Sequence, residues 1–527
     1  MRSILARLRG GLILLAPAVS VAVALTALVL VRPGHDGVDV VIGVVIAVCV
    51  GLLMAGSGVL AVVEKPRISA AHLPGWRTVG RLPSQQECLV VLGLAVVAVT
   101  VLLALDHPVV ALQITVVVGF LEAALVGTAL QQARDPGLRR EQIASALTTY
   151  GPELLVYTAR ANDASYQLAM WLPELAKLGR PYAIVVRHPT TLAATRGMTG
   201  VPVVCCPQSA DLDAVVVPTA RVALYVNGVS QNVNFVGYRQ LQHIYLGHGD
   251  SDKELSVHPA HAMFDQIFVA GPAAIERYRR AGVQIPADKF CVVGRPQLAG
   301  VARATGPIDA VVAPRVLLAP TWRGYNANTT LSSLVTTPEL VHQLLGRGAV
   351  VHFRPHPFSW QSVPDQPLLD RVDAILEADR ARTGRAHQLS AETRSASVLA
   401  CFDDSDALVS DVGSVLVDYF ATGKPYAVAL PAGLDPTEAR GRFPSLAAAY
   451  LISAPETPHS AAGTWPVLDE LLGLDPRAAD RERIAHHYLG EHPGDDAPLQ
   501  QALVDALNRC RPEPQASEST SLDAGQD

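Results

Sequence analysis

Residues 407–419 read ALVSDVGSVLVDY. Ala407–Ser410 has the length and texture of a buried strand. Ser410 and Asp411 break the run, and Gly413 and Ser414 open an amphipathic stretch that continues to Thr422. Strand, polar turn and helix in so short a span make one βα unit, and the pattern recurs on both sides. Upstream it gives strand Val316–Ala319, helix Pro338–Gly346, strand Val350–Arg354 and helix Leu368–Arg382; downstream it gives strand Tyr426–Leu430. An earlier series supplies strands Leu154–Thr158, Tyr182–Val186, Val201–Cys205, Arg221–Val226, His243–Leu246, Gln266–Ala270 and Phe290–Val293. Helical patterns at Tyr166–Lys177 and Ala273–Ala281 lie between them.

Two such series in tandem predict an α/β fold of two Rossmann-like domains, at 145–300 and 301–508, with a cleft between them. Helical patterns at 478–490 and 497–508 close the second. Residues 511–527, rich in Pro, Ser, Glu and Gln without an apolar face, predict a disordered tail.

The first quarter of the chain has a different texture. The 527 residues are 50% hydrophobic and 17% charged, against about 25% charged in ordinary soluble proteins, and mean hydropathy is +0.26. The apolar excess falls in segments 11–31, 38–63, 88–105 and 108–130, each near the roughly 20 residues that cross a bilayer. They predict an all-α membrane region of four transmembrane helices at 1–135. Arg2, Arg7 and Arg9 precede the first span, and Lys65, Arg67, Arg77 and Arg81 lie between the second and third. Arg134, Arg139 and Arg140 follow the fourth. This distribution predicts a multi-pass protein of the cell (inner) membrane with both termini and the α/β part cytoplasmic. Glu122, within the fourth span, is expected to face another helix or the interface.

Lys plus Arg total 42 and Asp plus Glu 48, a net charge of −6, so no global positive field exists to hold nucleic acid. Any anionic ligand is held locally. The seven cysteines (49, 88, 205, 206, 291, 401 and 510) include no CxxC pair and read as reduced thiols, with Cys205 and Cys206 at a strand end. His258, His261 and Asp265 have metal-like spacing, but on a stretch with Pro259 that is not a regular helix, so no metal site is assigned.

Ligands of open α/β sheets bind at the carboxyl ends of strands, and four such ends carry chemistry. In HIYLGHGDSDK, residues 243–253, His248 is suited to take a proton near neutral pH, and Gly249 lets backbone approach a ligand. Asp250 and Lys253 follow. The plainer alternative is a loop histidine that caps the strand. In VLLAPTWRG, residues 316–324, Thr321 offers a hydroxyl and Arg323 a planar fork for phosphate, while Trp322 reads as core or as a base platform. In VVHFRPHP, residues 350–357, Arg354 and His356 project from a strand end stiffened by Pro355 and Pro357, and His352 reads as core. In the opening stretch, Asp411, Gly413 and Ser414 combine a capping pattern with free backbone N–H groups for an anion; Asp418 faces either the cleft or solvent.

Taken in order, the four motifs resemble those of the CDP-glycerol glycerophosphotransferase family, the polymerases and primases of teichoic-acid-type polymers. The resemblance spans about residues 150–508. It rests on His248, Gly249 and Lys253 (HG followed by Lys), on Pro320 to Arg323 (PTWR) and on Arg354, His356 and Pro357 (RxHP). Ser410 to Val415 with Asp418 and Tyr419 complete it. It implies a GT-B fold with a CDP-polyol donor held mainly by the C-terminal domain and a lipid-linked or polymer acceptor, without a further cofactor. It makes His248 the general base and His356 the second catalytic histidine. Thr321, Arg323, Arg354, Asp411, Gly413 and Ser414 become donor-binding, with Gly249, Asp250, Lys253 and Asp418 elsewhere in the cleft. CMP is the leaving product.

Two residues depart from the family pattern. Asp250 stands where better-known members carry Thr, which reads either as orienting His248 or as marking a different acceptor. Gly413 replaces one of two paired serines. The alternatives are a GT-B glycosyltransferase using a nucleotide-sugar and a non-catalytic scaffold of envelope-polymer assembly.

Overall fold

Thirteen strands form among the residues described by the computed structural model, which are 37, 40–51, 66–76, 85–105, 107–133, 136–161, 165–324, 330–453 and 465–509. The first eight are β1 (Ser69–Ala71), β2 (Leu154–Thr158), β3 (Tyr182–Val186), β4 (Val203–Cys205), β5 (Val222–Tyr225), β6 (Gln242–Tyr245), β7 (Gln266–Val269) and β8 (Phe290–Val292). The last five are β9 (Arg315–Ala319), β10 (Val350–Phe353), β11 (Ala407–Ser410), β12 (Tyr426–Leu430) and β13 (Tyr450–Ser453). The chain divides into two units, one of Met1–Tyr150 with Val185–Val217 and one of Gly151–Ile184 with Pro218–Asp527.

In the first unit, helices Gln85–Ala104 and Pro108–Ala133 pack side by side, and Val99, Leu103 and Ala111 pack with Ile46, Ala47 and Val50 of helix Val40–Gly51. Their other faces are apolar and exposed, Leu94, Phe120 and Leu121 among them. Among the described residues, Pro108–Gly127 alone is long and apolar enough to cross a membrane; Val40–Gly51 and Val90–Ala104 are shorter apolar helices. The expected span 11–31 and the tail 511–527 lie outside the described residues. β1, absent from the sequence reading, pairs antiparallel with β4 through Ser69↔Cys205 and Ala71↔Val203. Cys205 and Cys206 are buried free thiols, and burial pushes the Cys205 thiol up to about 12.

The second unit carries two sheets. In the N-terminal one, β3 lies beside β2, and β5, β6, β7 and β8 follow on the other side, all parallel to β2. The chain therefore reverses its direction of travel between β2 and β5. The C-terminal sheet is parallel throughout, in the order β10-β9-β11-β12-β13, with its reversal between β9 and β11.

Sequence explains why the C-terminal sheet forms. Leu317, Ala319, Leu408, Tyr426 and Val428 pack on one face; Val316, Leu318, Ala407, Val409 and Ala427 pack on the other. Alternate residues enter opposite cores, so a strand buried on both faces reads as a continuous apolar run. Each Val or Leu buried this way contributes about 1.5–3 kcal/mol. Helix Gln366–Thr383 ends at Gly384, whose φ of 73° supplies the left-handed residue that a helix stop favours.

Candidate functional site

Both reversal points open onto one cleft of about 680 Å³ within the second unit. From the N-terminal half it is lined by Arg160 after β2, Gly228 after β5, and Gly247–Ser251 and Lys253 after β6. From the C-terminal half come Thr321 after β9, Arg354 and His356 after β10, and Asp411, Gly413 and Ser414 after β11. The four motifs, far apart in sequence, thus meet at strand ends.

The β6 loop is tied down residue by residue. Leu246 and Gly247 N–H groups donate to the Tyr225 carbonyl at 2.9 and 3.3 Å, and the Trp171 indole N–H donates to the Gly247 carbonyl at 2.8 Å. Gly247, with φ +65°, makes the turn. Gly249 makes the close approach, since a Cβ there would sit 3.0 Å from Ser414 Cβ.

The two cleft histidines are held in opposite tautomers by backbone partners. His248 Nδ1 lies 3.1 Å from the Val226 carbonyl oxygen, which can only accept, so Nδ1 carries the proton and Nε2 keeps a lone pair. His356 Nδ1 accepts from the Phe358 backbone N–H at 3.1 Å, so in the neutral ring Nε2 carries the proton. Both rings are neutral at pH 7. Burial, with Arg160 and Arg295 nearby, outweighs the Val226 bond and lowers His248 to about 4. Burial, then Lys253, lowers His356 to about 3. One ring thus keeps a lone pair at Nε2 and the other a proton there.

Lys253 crosses from the N-terminal half to donate to Thr321 Oγ1 at 2.8 Å, and burial lowers it to about 8 against the pull of Asp411. Asp411, fully buried, accepts the Thr321 and Ser333 backbone N–H groups on one oxygen at 2.7 and 3.1 Å. Burial raises its carboxyl to about 6. Its observed contacts hold the β9 loop. Arg354 donates through Nη1 to the Thr393 carbonyl and to that of Ala396 at 2.9 Å, which fixes its guanidinium at the cleft wall.

Three sequence expectations need correction. Arg323 does not line the cleft: it pairs with the buried Asp365 and donates to the Pro364 carbonyl at 3.4 Å, because a nearby buried carboxylate holds the fork. Asp418 does not line it either. Its carboxylate takes both Nε and Nη2 of Arg295, at 2.9 and 3.1 Å. Asp250 lines the cleft, but its carboxylate pairs with Arg277 and does not orient His248.

Arg160, Tyr166, Trp171, Arg277 and Arg295 line the cleft and were missed by sequence reasoning. Arg160, just past β2 at the reversal point, was discoverable from the strand-end rule; Arg295 was recognisable only through Asp418. His258 and His261 are occupied locally. His258 Nδ1 accepts from the Ala260 N–H, and His261 stacks on Tyr245 and lies 2.6 Å from the Tyr278 hydroxyl. Among the described residues no group of three or more His, Cys, Asp or Glu is placed to hold a metal ion.

The fold and site together define an α/β protein with a cationic cleft at the parallel strand ends of one mixed and one parallel sheet. Residues 303–441 match the family model described as CDP-Glycerol:Poly(glycerophosphate) glycerophosphotransferase, a span that contains Thr321, Arg354, His356, Asp411, Gly413 and Ser414. No curated protein matches the chain. Among solved structures the chain is similar to the wall teichoic acid polymerase TagF, at 14% identity and a TM-score of 0.41, over 72% of this chain and 96% of that one. It is also similar to UDP-GlcNAc 2-epimerase from Neisseria meningitidis bound to UDP-GlcNAc, at 12% identity and a TM-score of 0.41, over 68% and 99%.

Proposed function

We propose that the chain is a membrane-anchored GT-B transferase that moves glycerol phosphate or ribitol phosphate from a CDP-polyol to a hydroxyl of a lipid-linked or polymer acceptor, releasing CMP. The observation that carries this reading is the pair of neutral histidines in opposite tautomers on one cleft, His248 with a bare Nε2 and His356 with a protonated one. The family match at 303–441 supports the reaction class.

In this reading residues 145–300 hold the acceptor and residues 301–508 the donor. His248 Nε2 takes the acceptor hydroxyl proton as that oxygen attacks the polyol-bearing phosphorus. The new O–P bond forms as the bond to the bridging diphosphate oxygen breaks, and the electron pair leaves with CMP. His356 Nε2–H, Lys253, Arg354 and the Ser414 hydroxyl stabilise the charge that collects on the diphosphate. Burial first, then Arg160 and Arg295, keeps His248 unprotonated at rest, and the bound donor's negative charge offsets the two arginines when the base is needed.

The membrane reading is supported by the packed pair of apolar helices and by β1. Ser69–Ala71 lie between two apolar segments in sequence yet pair with β4, which supports placing both on one side of the membrane. Lys65, Arg67, Arg77 and Arg81 around that strand favour the cytoplasmic side.

The test supplies detergent-purified full chain with CDP-glycerol, CDP-ribitol or nucleotide-sugars and a lipid-linked acceptor extract. CMP released from a CDP-polyol, and lost in His248→Ala, is the expected result. A nucleoside diphosphate released from a nucleotide-sugar, with neither CDP-polyol consumed, would transfer the chain to the glycosyltransferases.

A further inference from the structure

Asp250 and Asp252 follow the base histidine on the same loop, and one buried guanidinium holds both. Arg277, on helix Pro272–Arg280, pairs with Asp250 and places Nε 3.2 Å from Asp252 Oδ1. The other Asp252 oxygen accepts from the Ser445 backbone N–H at 2.8 Å and from the Tyr488 hydroxyl at 2.7 Å. Ser445 and Tyr488 belong to the C-terminal half, Tyr488 on helix Ala478–Leu489. The side chains of Asp252 and Arg277 are only 2% and 7% exposed. Burial alone would raise the Asp252 carboxyl, but Arg277, Ser445 and Tyr488 hold it below its ordinary value, so it stays a carboxylate accepting on both oxygens. The next residue, Lys253, makes its own crossing to Thr321.

We propose that Arg277, Asp252 and Tyr488 are positioning residues: a relay that fixes the loop carrying His248 in register with the half that binds the donor. The proposal rests on the transferase reading above. His248 is tied to its own half through Val226, whereas His356, Arg354 and Ser414 belong to the other, so in-line attack requires the two halves to be fixed relative to each other. Asp252 is bonded to both halves and lies four residues from the base. A base displaced by about 1 Å loses on the order of 100-fold in rate. Of the donor contacts only Lys253 lies on this loop, and its own bond to Thr321 anchors it separately, so loss of the relay is expected mainly in turnover and much less in donor affinity.

The test compares Tyr488→Phe, Asp252→Asn and Arg277→Lys with wild type in four readouts: kcat, donor KM, Kd for CMP, and amide hydrogen exchange across 247–253. Tyr488→Phe keeps the ring in its core and deletes one hydrogen bond, so it separates alignment from folding. The relay predicts a fall in kcat of about tenfold or more, with donor KM and CMP affinity changed by much less than kcat. It also predicts faster exchange across 247–253, and a Tyr488→Phe/Asp252→Asn double variant no slower than Asp252→Asn alone. Wild-type kcat and exchange in Tyr488→Phe, or equal losses of kcat and CMP affinity, would overturn it. If wild type turns over no CDP-polyol, the transferase reading fails by itself and exchange still decides the relay: faster exchange in both Tyr488→Phe and Asp252→Asn sustains it, and unchanged exchange refutes it.

Discussion

A carbonyl at one ring nitrogen and an N–H at another separate the two histidines chemically. In the proposed mechanism His248 acts as a neutral base, so activity is expected to fall as pH drops through about 4. Lys253 holds the donor anion only when charged, so activity is expected to fall as pH rises through about 8. The kcat/KM profile, measured as CMP release across the pH range, is expected to fall at these two limits and to step down below about 6, where protonation of Asp411 loosens the β9 loop. His248→Ala is expected to lower turnover by about 10²–10⁴-fold. The same scale gives a stability prediction. Asp418→Ala leaves Arg295 buried without its carboxylate and is expected to cost about 3–5 kcal/mol in denaturant unfolding. The motif residues were legible because strand ends select chemistry-bearing positions. The fates of Arg323, Asp418 and Asp250 were not, because Asp365, Arg295 and Arg277 come from distant parts of the chain.

Elements were legible where their own sequence sets them. β2, β3, β11 and β12 run as read, since apolar strands between turn residues need no further information. β1 and β13 were missed: Ser69–Ala71 has no period-two pattern and forms by pairing with β4, and Tyr450–Ser453 is a four-residue edge strand. The expected helix Tyr166–Lys177 is two pieces, Ser165–Ala169 and Leu172–Lys177, with Pro173 in the first turn of the second. Two glycines test the packing of elements in opposite ways. At Gly249 a new Cβ meets the side chain of Ser414, so Gly249→Ala should lower the melting temperature and the added Ser414→Gly change should restore it in part, without restoring turnover, because the Ser414 hydroxyl is lost. At Gly271 the Cβ would lie 2.6 Å from the Tyr488 backbone oxygen, which cannot yield, so Gly271→Ala should lower the melting temperature, with no single side-chain change restoring it.

Across the whole chain, apolar content in the first quarter and βα alternation after it were visible in composition and periodicity. The return of the C-terminal helices to the N-terminal half was not. Gln500 donates to the Glu174 carbonyl at 2.9 Å, Asp496 pairs with Lys177 at 2.9 Å, and Tyr488 reaches Asp252. Truncation after residue 477 is therefore expected to abolish CMP release and expose the chain between the halves to limited proteolysis.

Transfer of a polyol phosphate, as proposed, is read from the identity of the products. Phosphorus NMR of wild type with CDP-glycerol or CDP-ribitol and acceptor should show the diphosphate resonances replaced by one monoester, CMP, and one new phosphodiester, with neither appearing in His248→Ala. Intact CDP-polyols, with a nucleotide-sugar converted to a nucleoside diphosphate and no new phosphodiester, would rule out polyol-phosphate transfer.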